Sequence, residues 1–164
     1  MNRMPTPWLI VSLAVLAADR VTKMLVERLT TFGWHRTVIP GFFDLVHTRN
    51  PGIAFGLLAD SPLPWMRMAL IGLSLVAAVA MAWLLVAGRA GGQRSRAGIA
   101  LILGGAAGNL LDRLLDGGVV DFILIYFRGH EWPAFNVADS AIVVGAALVL
   151  LELLFARHPE PEQA

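Results

Sequence analysis

The chain contains no cysteine. That removes disulfides, thiolate nucleophiles, cysteine-ligated zinc and iron–sulfur clusters, and leaves the redox compartment undetermined. Charge is also scarce: Asp, Glu, Lys and Arg make up 15% of the sequence, against roughly a quarter in an ordinary soluble domain. The net charge of +1 provides no broad basic field for nucleic acid. What is abundant is apolar surface, with 57% hydrophobic residues in a chain of 164. The length suits one domain, and a soluble domain of that size could not enclose so much apolar area. The composition is that of a membrane protein.

A bilayer-spanning helix needs about 20 mostly apolar residues. Four stretches qualify, at about 8–29, 65–86, 97–115 and 137–156. The sequence thus predicts an all-α membrane bundle of four transmembrane helices. Residues 1–164 read as one integral membrane domain without an appended soluble domain. The first stretch reads as a retained span rather than a cleaved signal peptide, because its helical pattern continues through Asp19 to Leu29. Four spans put both termini on one side. The short connector around Arg89, Arg94 and Arg96 lacks acidic residues and shares that side with Arg3 and Arg157. Arginine density therefore predicts cytoplasmic termini.

The connectors 30–64 and 116–136 then face outward. In the first, Phe42-Phe43-Asp44-Leu45-Val46-His47 lies between Pro40-Gly41 and Asn50-Pro51-Gly52, an apolar run bounded by turn residues that reads as short strands. In the second, Val119 to Leu124 follows Asp116-Gly117-Gly118 and reads as another strand. Tyr126, Phe127 and Trp132 suit the interfacial zone. The expectation is a small extracytoplasmic β-sheet built from the two outer connectors.

Ionisable groups inside a span are costly and mark function by default. Asp19 and Lys23 stand one turn apart on the outer half of the first helix. Asn109, Asp112 and Arg113 share a face near the outer end of the third helix, and Asn136 and Asp139 begin the fourth at the same surface. Asn50 and Asp121 lie in the outer connectors. All converge at one end of an up-down-up-down bundle, whereas the second helix has almost no polar group after Arg67.

Each piece also has a plainer reading. Asp19 with Lys23 fits a local ion pair, and Arg113 fits a structural partner for a carboxylate elsewhere. Asn136 fits an N-cap with Asp139 in the first turn. Gly104, Gly105 and Gly108 suit a close-packing helix face, not a phosphate loop, since no P-loop lysine accompanies them. Asn50-Pro51-Gly52 fits a turn. Several catalytic schemes fail on inventory. His130-Glu131 lacks the second histidine of a zincin, and His35, His47 and His158 are far apart. Ser140, beside Asp139, is the one serine near the polar cluster, and a dyad with Lys23 is only formally possible. No metal site and no cofactor are expected.

Carboxylates remain. Asp121 and Asp139 flank one short connector. Two carboxylates held close cannot both ionise easily and come to share a proton. One can activate a water while the protonated partner donates to a carbonyl. On sequence alone this chemistry is a candidate.

At these residues the chain resembles the bacterial lipoprotein signal peptidases, or type II signal peptidases, over nearly its whole length. The blocks that carry the resemblance are Asp19-Arg20-Val21-Thr22-Lys23, Asn50-Pro51-Gly52-Ile53-Ala54-Phe55, Gly104-Gly105-Ala106-Ala107-Gly108-Asn109-Leu110-Leu111-Asp112-Arg113, Val119-Val120-Asp121-Phe122 and Phe135-Asn136-Val137-Ala138-Asp139-Ser140. Arg20 is a departure, since the family often has glutamine there. The resemblance implies a membrane aspartic endopeptidase of the bacterial inner membrane. It would remove the signal peptide from diacylglyceryl-modified prolipoproteins by cutting just before the lipidated cysteine. It further implies Asp121 and Asp139 as the catalytic dyad, with Asn50, Gly105, Asn109, Arg113 and Asn136 lining or supporting the site. Asp19 and Lys23 take a structural role behind it, and residues 126–135 form a flap. The implied partners are the prolipoproteins and membrane lipids, with no obligate protein partner.

Three other readings compete. A proton-coupled transporter or channel predicts polar residues through the full depth of the bundle, but the cytoplasmic half is nearly apolar. A non-catalytic scaffold leaves the one-ended polar cluster unexplained. A presenilin-like protease should carry its aspartates deep in helices, whereas Asp121 lies outside any span.

Overall fold

A computed structural model of the chain describes residues 6–51 and 64–155. Arg3, Arg157, His158 and residues 52–55 of the Asn50 block lie outside the described residues. The order of elements is α1 (Thr6–Leu29), β1 (His35–Ile39), β2 (Phe43–Asn50), α2 (Pro64–Val86), α3 (Gln93–Leu115), β3 (Val119–Phe127), β4 (His130–Glu131) and α4 (Val137–Phe155).

Three of these helices contain stretches long and apolar enough to cross a membrane, at Met68–Val86, Gln93–Leu115 and Val137–Phe155. The 24-residue α1 is long enough, but Asp19, Arg20 and Lys23 fall within it. Its composition therefore places it outside that class, whereas the sequence reading counted it as a span. Two of these charges turn inward, with Asp19 and Lys23 fully buried in the bundle. α3 begins four residues before the apolar stretch at 97. Hydropathy marks the width of an apolar layer, and a helix can continue past it through residues such as Gln93 and Arg94.

α3 is the central helix and packs against each of the other three. Its glycines make this possible by letting backbones approach. A Cβ on Gly98 would collide with the Gly145 carbonyl of α4, and one on Gly104 with the Ser12 carbonyl of α1. Ser12 Oγ in turn donates to the Ala100 carbonyl at 2.9 Å. At the end of the bundle far from the sheet, Leu85, Ala90, Ile99 and Ala100 form an apolar core covered by Trp8, Leu9 and Val149. The outer faces of α2 and α4 carry exposed Leu73, Val76, Val79, Val143 and Leu150, the pattern of a helix bundle whose solvent is lipid.

The strands form one antiparallel sheet in sequential order, β1-β2-β3-β4. Two tight hairpins set its register. Ile39-Pro40-Gly41-Phe42 closes with a Phe42 N–H to Ile39 carbonyl bond of 3.0 Å, with Gly41 at φ 72°, as a proline-then-glycine type II turn requires. Arg128 and Gly129 both have positive φ between the paired Phe127 and His130, the geometry of a two-residue hairpin. A bulge between Leu45 and Thr48 brings Thr48 opposite Asp121 and Asn50 opposite Val119. Asn50 is thereby a diagonal neighbour of Asp121 on one face of the sheet. The sequence anticipated a sheet from the two connectors, and all four strands come from them.

Candidate active site

The start of α4 is where the site is assembled. The Asn136 Oδ1 accepts the Asp139 N–H at 2.9 Å, a side-chain N-cap. Asp19, reaching across from α1, accepts the Ala138 N–H on Oδ1 at 3.0 Å. A carboxylate at a helix N-terminus is favoured by the helix dipole as well as by the hydrogen bond. The first turn of α4 thus owes its position to two side chains the sequence had singled out. Gly105 and Gly108 let it come this close. A Cβ on Gly105 would meet the Ala138 carbonyl, and one on Gly108 would meet the Asp19 carboxylate. Gly105 therefore sits in the helix contact under the site.

The capping asparagine has a second task. Its Nδ2 donates to Asp121 Oδ1 at 2.7 Å, with the Val120 carbonyl at 3.3 Å and Asn109 Oδ1 at 3.4 Å. Asn109 Nδ2 donates to Asp139 Oδ1 at 2.7 Å. The two aspartates, one on a strand and one on a helix, are therefore linked through a pair of amides. The cap reading of Asn136 is met, and the same side chain reaches Asp121 with its other end. On the sheet side, the Asn50 side chain also hydrogen-bonds the Asp121 carboxyl. Arg113, one turn beyond Asn109, donates to the Asn109 carbonyl at 3.1 Å and lies within Coulombic reach of Asp139, Asp112 and Asp121.

Burial pushes the Asp121 carboxyl up to about 7, with the charge of Asp139 adding to the effect, while bonds from Asn136 and Asn50 and the Lys23 charge oppose it. Burial and a neighbouring like charge are two routes by which a carboxyl keeps its proton near neutrality.

Behind the amides lies a charge network. Lys23 Nζ contacts Asp19 Oδ2 and Asp112 Oδ2, each at 2.7 Å, and Asn109 Oδ1 at 3.1 Å. Arg20 Nη1 pairs with Asp112 Oδ1 at 2.6 Å. Two carboxylates thus meet two cations, which is the condition under which buried charges are tolerable. The sequence reading treated Asp112 as a structural companion of Arg113 and Arg20 only as a departure from a pattern. Their ion pair was missed. Its trace was present, since Arg20 and Lys23 are three residues apart and share a helix face.

Ser140 Oγ donates to the Asn136 carbonyl at 2.9 Å, so that hydroxyl serves the helix start. His35 bonds Asp44 at 2.7 Å and His47 bonds Thr30 at 2.9 Å, so these two histidines are occupied separately in the sheet region. Among the described residues no three His, Asp or Glu side chains form a group that could hold a metal ion.

A family model for signal peptidase (SPase) II matches residues 11–155. The chain belongs to the signal peptidase II family. The lipoprotein signal peptidase of Solibacter usitatus is 46% identical over 144 residues, 88% of either chain. That of Cupriavidus necator is 44% identical over 151 residues, covering 92% of this chain and 84% of the relative. A bacterial membrane enzyme solved by the in meso method at 2.3 Å resolution aligns at a TM-score of 0.82 and 28% identity, covering 97% of this chain and 95% of that one. Signal peptidase II enzymes are membrane peptidases that remove signal peptides from prolipoproteins.

Proposed function

We propose that the chain is an aspartic endopeptidase that cleaves diacylglyceryl-modified prolipoproteins immediately before the lipidated cysteine, with Asp121 and Asp139 as its catalytic pair. The observation that carries this reading is the amide bridge, Asp121–Asn136–Asn109–Asp139, around a carboxyl pushed up to about 7. With one proton on the pair, the ionised carboxylate takes a proton from water as the water oxygen attacks the scissile carbonyl carbon. The protonated partner keeps its proton and donates a hydrogen bond to the carbonyl oxygen as it becomes the oxyanion. In collapse the carbon–nitrogen bond breaks, the leaving amine takes a proton from the pair, and the released carboxyl and amine are the products. The proton belongs to the pair throughout.

Asn109 and Asn136 hold the two carboxyls in fixed orientation, Asn50 holds Asp121 from the sheet side, and Arg113 offsets their combined negative charge. Gly105 sets the depth of α4, while Asp19 and Lys23 secure its first turn and Asn109. The reaction requires no metal or cofactor. The chain acts as a single membrane-embedded unit in which α1 crosses the bilayer with the other three helices, its buried charges facing α3 and α4. Its termini are cytoplasmic and its site lies at the outer face of the bacterial inner membrane. There a substrate's acyl chains stay in hydrocarbon while its peptide bond meets water. Residues 126–135 cover the bound peptide.

The test is cleavage, in detergent, of a prolipoprotein with and without diacylglycerol by wild type and the Asp121→Asn and Asp139→Asn variants. Cutting before the modified cysteine alone, lost in both folded variants, is the expected result. Near-normal turnover by either variant would overturn the dyad, and equal cleavage of the unmodified substrate would overturn the substrate class.

A further inference from the structure

Phe122, next to Asp121 in β3, helps to line a cavity of about 340 Å³ at the end of α1 that meets the sheet. Leu25 and Leu29 of α1 form one wall, Leu45 of β2 another, and Trp34 and Arg36 belong to the segment that enters and begins β1. With a water-sized group taking up ~30 Å³, a space of about 340 Å³ has room for a stretch of acyl chain. The lining is mostly apolar, with the Thr30 hydroxyl and one full charge, Arg36. Arg36 is exposed and takes part in none of the ion pairs or side-chain hydrogen bonds found among the described residues. The neighbouring carboxylates are already engaged: Glu27 with Arg49 at 3.1 Å, and Asp44 with His35 at 2.7 Å. Arg28 follows Leu25 by three residues and is also exposed, which puts a second cation beside the α1 wall.

A largely apolar cleft that includes a guanidinium without a counter-charge among the described residues matches one class of ligand: an acyl chain joined to an anionic head. Arginine recognises phosphate through paired N–H donors. Basic pockets against transmembrane helices select anionic lipid heads over neutral ones. The height of the slot fits as well, because it lies at the end of α1 that meets the sheet, where Trp34 suits the interfacial zone.

We infer that the cleft between α1 and the sheet is a binding site for one anionic phospholipid of the outer leaflet, with an acyl chain between Leu29, Leu45 and Phe122 and its phosphate on Arg36. This inference rests on the proposed membrane orientation but not on the peptidase chemistry, since neither aspartate of the pair, nor any side chain that holds it, is among the residues lining the cleft. A lipid seated there braces β3 through Phe122, the neighbour of Asp121 in the strand.

Native mass spectrometry of the full chain, delipidated in detergent and then given phosphatidylglycerol or phosphatidylethanolamine, tests it. Wild type should hold one phosphatidylglycerol per chain and bind phosphatidylethanolamine at least fivefold more weakly. Arg36→Glu and the slot-filling Leu29→Trp should each reduce phosphatidylglycerol occupancy fivefold or more. Arg36→Lys should retain most of it, and Arg94→Glu, at the other end of the bundle, should leave it unchanged. No retained lipid on wild type, or equal occupancy in wild type, Arg36→Glu and Leu29→Trp, would overturn the site. Occupancy is read without turnover, so a lipid-loaded but inactive protein counts against the peptidase reading alone. An active wild type that binds no lipid counts against this site alone.

Discussion

Near the sheet, the largest fully buried side chains are Lys23, Asn136, Asp19 and Asp112; at the opposite end the core is Leu85, Ala90, Ile99 and Ala100. Both regions are built around α3, yet they are held by different forces. The apolar end is packed by area and shape, which tolerates exchange of one hydrophobic group for another. The polar end depends on a closed set of partners, where a lost donor or charge strands another. A buried ion network stabilises no better than apolar residues of the same size. Its presence at one end alone is therefore best explained by what it orients, the amides that hold Asp121 and Asp139. The contrast has exceptions. Ser12 and Ser95 are buried toward the apolar end, and Glu152 of α4 lies against Gly92, where α3 begins, an anion at a helix N-terminus.

The comparison can be broken in several ways. The largest effect expected is on chemistry: Asp121→Asn or Asp139→Asn should lower single-turnover cleavage about 10³-fold or more while the protein stays folded. Next is Lys23→Met, which leaves Asp19 and Asp112 without their shared cation. It should destabilise by about 3–5 kcal/mol in denaturant titration and also lower the rate per folded molecule. Leu85→Ala, in the other core, should destabilise by about 2–3 kcal/mol with the rate per folded molecule intact. If Leu85→Ala slowed cleavage as much as Lys23→Met, the two ends would not be functionally distinct.

Glycines sharpen the same contrast. Gly108→Ala forces a methyl against the Asp19 carboxylate and should cost about 1–3 kcal/mol. Gly72→Ala on α2 meets open space and should be neutral or stabilise by up to about 1 kcal/mol. The smallest effect concerns pH. Asp121 holds its proton to about 7 in the folded chain but only to about 3.9 when unfolded. Its contribution to stability is therefore complete below the unfolded value and lost as pH rises through 7. Asp121→Asn removes that loss, so its melting temperature should exceed wild type by roughly 3 °C or more at pH 8 and match it at pH 4.

Much of this was legible in the sequence because membranes make polar residues conspicuous. Asp19, Lys23, Asn109, Asn136 and Asp139 stood out against apolar helices, and helical spacing alone gathered them at one end. Hydropathy could not show that α1 turns its charges inward, because it counts residues and not the direction they face. Nor could it show that Arg20 pairs with Asp112, a contact across 92 positions. Turn residues mark β2 and β3 in the sequence, whereas β1 and β4 carry no such signal and form by pairing with them. The bulge that carries Asn50 beside Asp121 was not visible, since register is settled by pairing and not by either strand alone. Asn136 had been weighed as either cap or site residue; its two ends point to different partners, which only three dimensions reveal.

The central claim, that Asp121 and Asp139 act as a pair with one shared proton, is tested most directly by the pH dependence of kcat/KM on a lipid-modified substrate. The account predicts a bell whose alkaline limb falls near 7, where the pair loses its proton, with collapse at low pH when both carboxyls are protonated. A rate that stays flat from about pH 5 to 9, across the range in which the shared proton must come and go, would contradict it.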